Sequence, residues 1–287
     1  MHYNHFFDQT LAMIEQGQAN AAVPMLVGTL YSSARSEHWP DIRQSLRQHP
    51  LQSLLMQDPY IERAFSKPRG YAGDAELIDY IYNLAVPQGT TARGQEIFSI
   101  TTSFQAAQGV RLRRAYAEEF VHNAHKDGKR ICALACGHLR EADHLIGQDV
   151  SSITAVDQDG LSLAEVRRNH GETINMAEAN VISFLRDAAA HGVQFDLIYT
   201  LGLTDYLDDR AMRLLHKLMK ACLTPSGTIT LANFVPHHLA TGWMDAVMDW
   251  QLIYRNEEDL AGFAREIGMT PHTWCDASGS IAWCEMR

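Results

Sequence analysis

The chain lacks most of the features that point to a metal, a membrane or a nucleic acid. Its five cysteines are odd in number and unclustered, with no C-x-x-C. Such usage implies free thiols in a reducing cytoplasm rather than a disulfide framework. Fourteen histidines occur without an H-E-x-x-H, and the adjacent His237-His238 reads as a loop feature, so no metal site is expected. Basic residues number 24 against 34 acidic ones, giving a formal charge of −10. That balance argues against sequence-independent binding of nucleic acid, which needs a basic surface to displace counterions. No apolar run reaches the ~18 residues of a membrane span, and the polar start His2-Tyr3-Asn4 is not a signal peptide. Repeats and low-complexity segments are absent too. What remains, 287 residues of which 46% are hydrophobic, suits an enzyme with one large core and a smaller helical one.

Glycine is also scarce where a nucleotide site would use it. After the apolar run Ile131–Ala135, Cys136-Gly137 breaks the pattern, and a helical stretch is expected to follow. A dinucleotide site needs G-x-G-x-x-G to place backbone N–H groups around a pyrophosphate. Here Gly137 stands between Ala135 and Leu139, and no G-x-x-x-x-G-K occurs. A single glycine still lets the backbone approach a ligand, because it carries no Cβ. A second apolar run, Ile153–Val156, ends on Asp157, an acid about 20 positions beyond the glycine, as a ribose requires. S-adenosylmethionine (SAM) has the ribose and lacks the phosphates. It is the expected cofactor.

The remaining pattern is α/β. Asn180-Val181 follows a third short run and is placed to meet adenine. Phe195–Tyr199 reads as a fourth strand with Thr200-Leu201-Gly202 as its exit loop. A helix is expected over Asp209–Leu223, then the breaker Thr224–Gly227, a fifth strand over Thr228–Ala232, a long helical segment, and a hairpin pairing Thr273–Cys275 with Ile281–Cys284. Residues 1–125 differ: short helical stretches separated by Pro40, Pro50, Pro59 and Pro68, with a long one over Gly94–Ala124. Two domains follow from this, a helical lid or substrate-capping region over 1–125 and a SAM-binding domain over 126–287.

Strand-helix alternation closed by an antiparallel hairpin resembles the class I SAM-dependent methyltransferases, a Rossmann-like fold with a seven-stranded sheet. The segments Lys67-Pro-Arg-Gly-Tyr-Ala-Gly-Asp74, Val110-Arg-Leu-Arg-Arg114, Gly202-Leu-Thr-Asp-Tyr206, Ala232-Asn-Phe234 and Asp249-Trp-Gln-Leu-Ile-Tyr-Arg255 are similar to one bacterial family within them. It is the family that includes the methyltransferase making a hydroxy-palmitate methyl ester signal. The resemblance runs from about Pro50 onward and implies SAM as cosubstrate and a small or acyl acceptor from specialised metabolism. One departure stands out. Where the family has small residues or proline ahead of Arg-Glu, this chain has His138-Leu139 ahead of Arg140-Glu141.

Two chemistries are therefore expected side by side. One is methyl transfer to an outside acceptor. The other is ring closure of SAM to azetidine-2-carboxylic acid with release of methylthioadenosine, as in methyltransferase-like cyclases. The latter needs aromatic faces around the sulfonium, for which Tyr71, Tyr199, Tyr206, Trp243, Trp250 and Tyr254 are available. For methyl transfer, Cys136, Gly137, Arg140 and Glu141 are expected at the methionine end, with Glu141 either on the cofactor's amine or structural. Asp157 takes the ribose, Asn180 and Val181 take adenine, and Leu201 and Gly202 offer carbonyls to the amine. Tyr71, Tyr206, Asn233, Tyr254 and Arg255 are expected on the acceptor side. Arg255 or Arg69 would orient a carboxylate acceptor, and Asp74, Asp205 or His138 would serve as base for a protonated one. An ion pair between Arg255 and Glu257 or Glu258 is the structural alternative.

Overall fold

The computed structural model describes residues 2–287 and contains two compact units. One takes the chain up to Val110 together with His237–Gln251; the other takes Arg111–Pro236 and Leu252–Arg287. The first is built from short helices, α1 (His2–Glu15), α2 (Ala19–Ser33), α3 (Trp39–Gln48), α4 (Pro50–Leu55), α5 (Pro59–Ser66), α6 (Ala75–Asn83) and α7 (Ala92–Thr101). Pro40, Pro50 and Pro59 each open a helix, at a position where the missing N–H costs nothing and the fixed φ is already helical. The long helix expected over Gly94–Ala124 is interrupted between α7 and α8 (Gln105–Lys126). There Thr101, Thr102 and Ser103 turn their hydroxyls onto the carbonyls of Phe98 and Ile100, which competes with helix continuation. The end of α8 at Lys126 marks the expected change from helices to α/β, while compactness divides the chain earlier, at Val110/Arg111.

The second unit holds β1 (Ile131–Leu134), β2 (Ile153–Asp157), α9 (Gly160–His170), β3 (Asn175–Glu178), α10 (Val181–Ala190), β4 (Phe195–Thr200), α11 (Asp209–Ala221) and β5 (Leu223–Phe234). With β6 (Pro271–Cys275) and β7 (Ile281–Met286) they form the expected seven-stranded sheet, in the order β3-β2-β1-β4-β5-β7-β6. Neighbours are parallel except around β7, which runs antiparallel to β5 and β6. Successive residues of a strand face opposite sides. Cys132 and Leu134 therefore pack with Leu185, Met212 and Leu215, while Ile131 and Ala133 pack with Val121, Leu145 and Val166. Burial on both faces explains why these strands read as unbroken apolar runs. Two expectations change here. The helical stretch after Gly137 is a short 3-10 turn, Arg140–Leu145, and β5 starts at Leu223, taking in the expected breaker through an irregularity opposite Phe195.

After β5 the chain leaves the sheet unit, forms α12 (Thr241–Ala246) within the helical unit, and returns at Leu252. The long helical segment expected here is thus two helices, α12 and α13 (Glu257–Glu266), followed by β6 (Pro271–Cys275) and β7 (Ile281–Met286). Within the helical unit, a Cβ on Gly242 would lie 2.5 Å from the Leu30 carbonyl oxygen, so only glycine allows this approach. Arg43 pairs with Asp245 at 3.2 Å, and Arg47 and Lys67 both reach Asp249 at 2.5 Å. Asp249 itself is left-handed at φ 48, a conformation few non-glycine residues adopt. Among the described residues, no helix is long and apolar enough to cross a membrane.

Asp58 is fully buried where it caps α5, accepting from Tyr60 N–H at 2.8 Å and from the Thr101 hydroxyl at 2.7 Å. Burial pushes its carboxyl up to about 7, against the pull of those donors. The unfolded group ionises near 4, so the folded state holds the extra proton between about pH 4 and pH 7. Stability from this group is full below that window and lost as pH rises through it. Asp58→Asn keeps an oxygen for the Tyr60 N–H and removes the titration. Its melting temperature is expected to exceed the parent's at pH 8 and to converge with it at about pH 4. An equal gap at both pH values would contradict this reading.

Candidate active site

Strand order reverses at β1. The chain builds outward through β2 and β3, then returns to place β4 on the other side. Ligands of open α/β sheets bind beyond the carboxyl ends of the strands at such a reversal. The loops at that edge are 135–139 after β1 and 201–206 after β4, and both contain candidate residues.

The first loop alternates into left-handed backbone three times, at Ala135 (φ 50), Gly137 (φ 54) and Leu139 (φ 52). Two of these are not glycine, so the conformation is held against local preference. The holding group is Asp157. One carboxylate oxygen accepts from Gly137 N–H at 2.8 Å, and the other accepts from Asp159 N–H at 2.9 Å. The Asp157 backbone carbonyl takes Ala179 N–H at 2.9 Å, which brings Asn180 and Val181 to the same corner. Burial raises the Asp157 carboxyl, and the backbone donors oppose that rise. The four lone-pair directions of the carboxylate exceed the backbone N–H groups that meet it.

Glu141, at 5% exposure, accepts from the Tyr199 hydroxyl at 2.7 Å. Burial raises its carboxyl, while the Tyr199 hydrogen bond works in the other direction. Burial and the Glu141 charge push the Tyr199 phenol well above its ordinary range. Cys136 is similarly raised, by burial and then by the Asp157 and Glu141 carboxylates, so its thiol is no nucleophile. Arg140 turns to Glu165 at 2.9 Å. Asn180 spends its side-chain oxygen capping α10 at Ile182 N–H, at 3.0 Å, with Val181 as the first residue of that helix.

The second loop makes a tight knot. Asp205 accepts from Phe234 N–H at 2.7 Å, and its backbone carbonyl accepts from Ile253 N–H at 2.7 Å. Asn233 is 1% exposed and donates to the carbonyls of Phe234 and Ile253 at 3.0 and 2.9 Å. Burial pushes the Asp205 carboxyl up to about 6, opposed by the Phe234 N–H and by the charges of Arg113 and Arg255. Asp205, Tyr206, Asn233, Tyr254 and Arg255 thus share one neighbourhood, with Tyr206 and Ile253 exposed at its rim.

Several assignments need correction. Arg255 is 3% exposed and binds the Thr204 and Leu207 carbonyls and Asp209, at 2.9, 2.7 and 3.0 Å. It holds the loop and pairs with neither Glu257 nor Glu258. Asp74, expected as a base, is fully buried in the helical unit, where it caps α6 and pairs with Arg63 at 2.8 Å. Arg69 pairs with Glu76 at 3.3 Å. Trp243 and Trp250 are core residues of the helical unit, and the half-buried Tyr71 belongs to that unit as well. Arg113 was missed. Its signal was present: α8 buries Val110, Ala117, Val121 and Ala124 at helical spacing, and Arg113 interrupts that apolar stripe at 6% exposure.

Solved structures with the same architecture include one described as a possible exported protein from Bordetella parapertussis. It is 16% identical with a TM-score of 0.60, and the match covers 89% of this chain and 98% of that one. Another is the magnesium protoporphyrin IX methyltransferase ChlM from Synechocystis PCC 6803 with bound SAH, at 12% identity and a TM-score of 0.50, covering 80% and 98%. The fold is that of a class I methyltransferase. No protein-family model and no curated protein matches the sequence.

Within this methyltransferase fold, the Asp157 carboxylate is the joint between the β1 and β2 exits. Asp157→Ala removes two charge-assisted bonds to backbone N–H groups and is expected to cost about 2–4 kcal/mol of stability. Amide hydrogen exchange should accelerate at Gly137 and Asp159. Unchanged exchange at both amides in the variant would show that the loop is held by something else.

Proposed function

We propose that the chain is a SAM-dependent enzyme of small-molecule metabolism that transfers a methyl group to a small or acyl acceptor. The observation that carries this reading is the Asp157–Gly137 closure, formed where the strand order reverses. The residues present suit the cofactor: a side-chain-free Gly137, a carboxylate with lone pairs left for ribose hydroxyls, and the opening turn of α10 for adenine. Bound there, SAM supplies an electrophilic carbon on a sulfonium leaving group.

The protein's share is to bind, orient and move a proton. Asp157 takes the ribose, and Asn180-Val181 meet adenine through the start of α10. Gly137 admits the methionine portion, with Cys136 and Arg140 supporting the loop. Leu201, Gly202 and Glu141 face the amine. Tyr206, Asn233 and Tyr254 form the acceptor side, and Arg255 holds them in place through the Thr204 and Leu207 carbonyls. Asp205, raised to about 6, is the group whose proton affinity suits receiving a proton from a hydroxyl or N–H acceptor near neutrality.

Product analysis by mass spectrometry tests this reading. SAM incubated with the protein alone is expected to stay intact, and a panel of small carboxylic, hydroxyl and amine acceptors should include one that yields S-adenosylhomocysteine. Methylthioadenosine and a cyclic amino acid from SAM alone would replace methyl transfer by ring closure. Tyr71 is tested by itself. If its hydroxyl positions the acceptor, Tyr71→Phe and Tyr71→Ala should both lower kcat by ~10-fold or more. An unaltered kcat in both variants would remove Tyr71 from the site.

A further inference from the structure

Asn233 is satisfied on one side of its amide only. The amide nitrogen donates to the Phe234 carbonyl at 3.0 Å and to the Ile253 carbonyl at 2.9 Å, which uses both of its hydrogens. The amide oxygen, Oδ1, is buried and meets no donor among the described residues. A buried acceptor left unmet is costly, and at 1% exposure bulk water does not supply the missing donor. Thr200 repeats the pattern one strand away. It ends β4, is 1% exposed, and its Oγ1 has no partner among the described residues either. Thr200 stands opposite Leu231 in the parallel register, and Asn233 lies two residues beyond Leu231, so both side chains belong to one face of the sheet.

The charges nearby decide what can complete Oδ1. Arg255 and Arg69, the side chains expected to orient a carboxylate, are committed: Arg255 to two carbonyls and Asp209, Arg69 to Glu76. Arg113 is bound to the Leu201 carbonyl. The ionisable group next to Asn233 is Asp205, which accepts from the N–H of the following residue, Phe234. A carboxylate brought here would set its oxygens against a carbonyl oxygen and a second carboxylate, with acceptors on both sides. A group carrying N–H or O–H would find an acceptor for its hydrogen in Oδ1 and a base in Asp205. Beyond the polar pair, the exposed Tyr206 and Ile253 give the rim apolar surface.

We propose that Asn233 determines the acceptor's chemical class: its Oδ1 takes a hydrogen bond from an N–H or O–H head group on a molecule with an apolar body. This rests on the methyl-transfer reading above. In the transfer, a lone pair of the acceptor nitrogen or oxygen forms the new bond to the methyl carbon. The C–S bonding pair stays on sulfur, giving S-adenosylhomocysteine, and the proton shed by the acceptor goes to Asp205. A carboxylic acid, which arrives at neutral pH as a carboxylate, is rejected because this edge offers it acceptors rather than donors.

The test is calorimetric titration of the full-length protein, saturated with S-adenosylhomocysteine, with four probes that share one apolar body: octanamide, octanol, methyl octanoate and octanoate. The first two carry a donor, the third is neutral without one, and the fourth is the carboxylate. Octanamide and octanol are expected to bind ~10-fold or more tightly than either of the others, the range of a hydrogen bond to an otherwise unmet buried acceptor. Asn233→Ala should bring the four within ~3-fold of one another while still binding S-adenosylhomocysteine. Methyl octanoate or octanoate binding as tightly as the donor probes to the unaltered protein would overturn the proposal without depending on any variant's folding. So would an Asn233→Ala protein that keeps the full preference, or an unaltered protein that takes S-adenosylhomocysteine and none of the four. An unaltered protein that does not bind S-adenosylhomocysteine refutes the SAM reading itself, and the acceptor class with it.

Discussion

The account depends on the Asp157 carboxylate. Parallel strands end in loops whose backbone groups have no ladder partner, and such groups must be satisfied locally. Asp157 does this for two exits at once, binding Gly137 N–H from its own strand's neighbour and Asp159 N–H from its own turn. Its backbone carbonyl adds the β3 exit through Ala179. Three left-handed residues in five, two of them with side chains, would not persist in the β1 loop without such an anchor. The loop is held by one side chain rather than by a run of glycines.

Around that anchor the candidate edge is rich in buried charge. Glu141, Asp157, Asp205, Arg113 and Arg255 are all at most 6% exposed. Most are compensated by backbone groups rather than by each other. Arg255 is bound to two carbonyls as well as to Asp209, and Asp205 is bound to the Phe234 N–H. Carbonyls and N–H groups at fixed positions stabilise charge at no reorganisation cost, which makes such an edge fit to receive a charged ligand. Arg113 differs from the others in having a buried Nε without an acceptor beside its bond to the Leu201 carbonyl.

What could be read from the sequence was what depends on neighbours in the chain. Apolar runs, their spacing and the terminal hairpin gave the sheet; the Gly137-to-Asp157 interval, read as a cofactor site, turned out to join two residues that bond to each other. Side chains whose partners are distant in sequence were read less well. Arg255 satisfies carbonyls 51 and 48 positions earlier, and Asp74 answers Arg63 across a loop, so neither partnership has a local pattern. Residues 237–251 look like a continuation of the sheet unit, yet Asp245, Asp249 and Gly242 tie them to helices some 200 positions away. The missing side chain at Gly242 gave no hint of which backbone it would meet. Arg113 was hidden for a different reason: within a basic run, one buried arginine looks like its half-buried neighbours until the helix phase is fixed.

Hydrogen exchange of the intact protein with and without SAM tests the central claim most directly, because it reports where the ligand acts rather than only whether it binds. Protection should appear together at 135–139, 157–159 and 201–206, the loops that Asp157 and the sheet reversal bring to one edge. Protection confined to other segments, or none at saturating SAM, would contradict the assignment of this edge as the cofactor site.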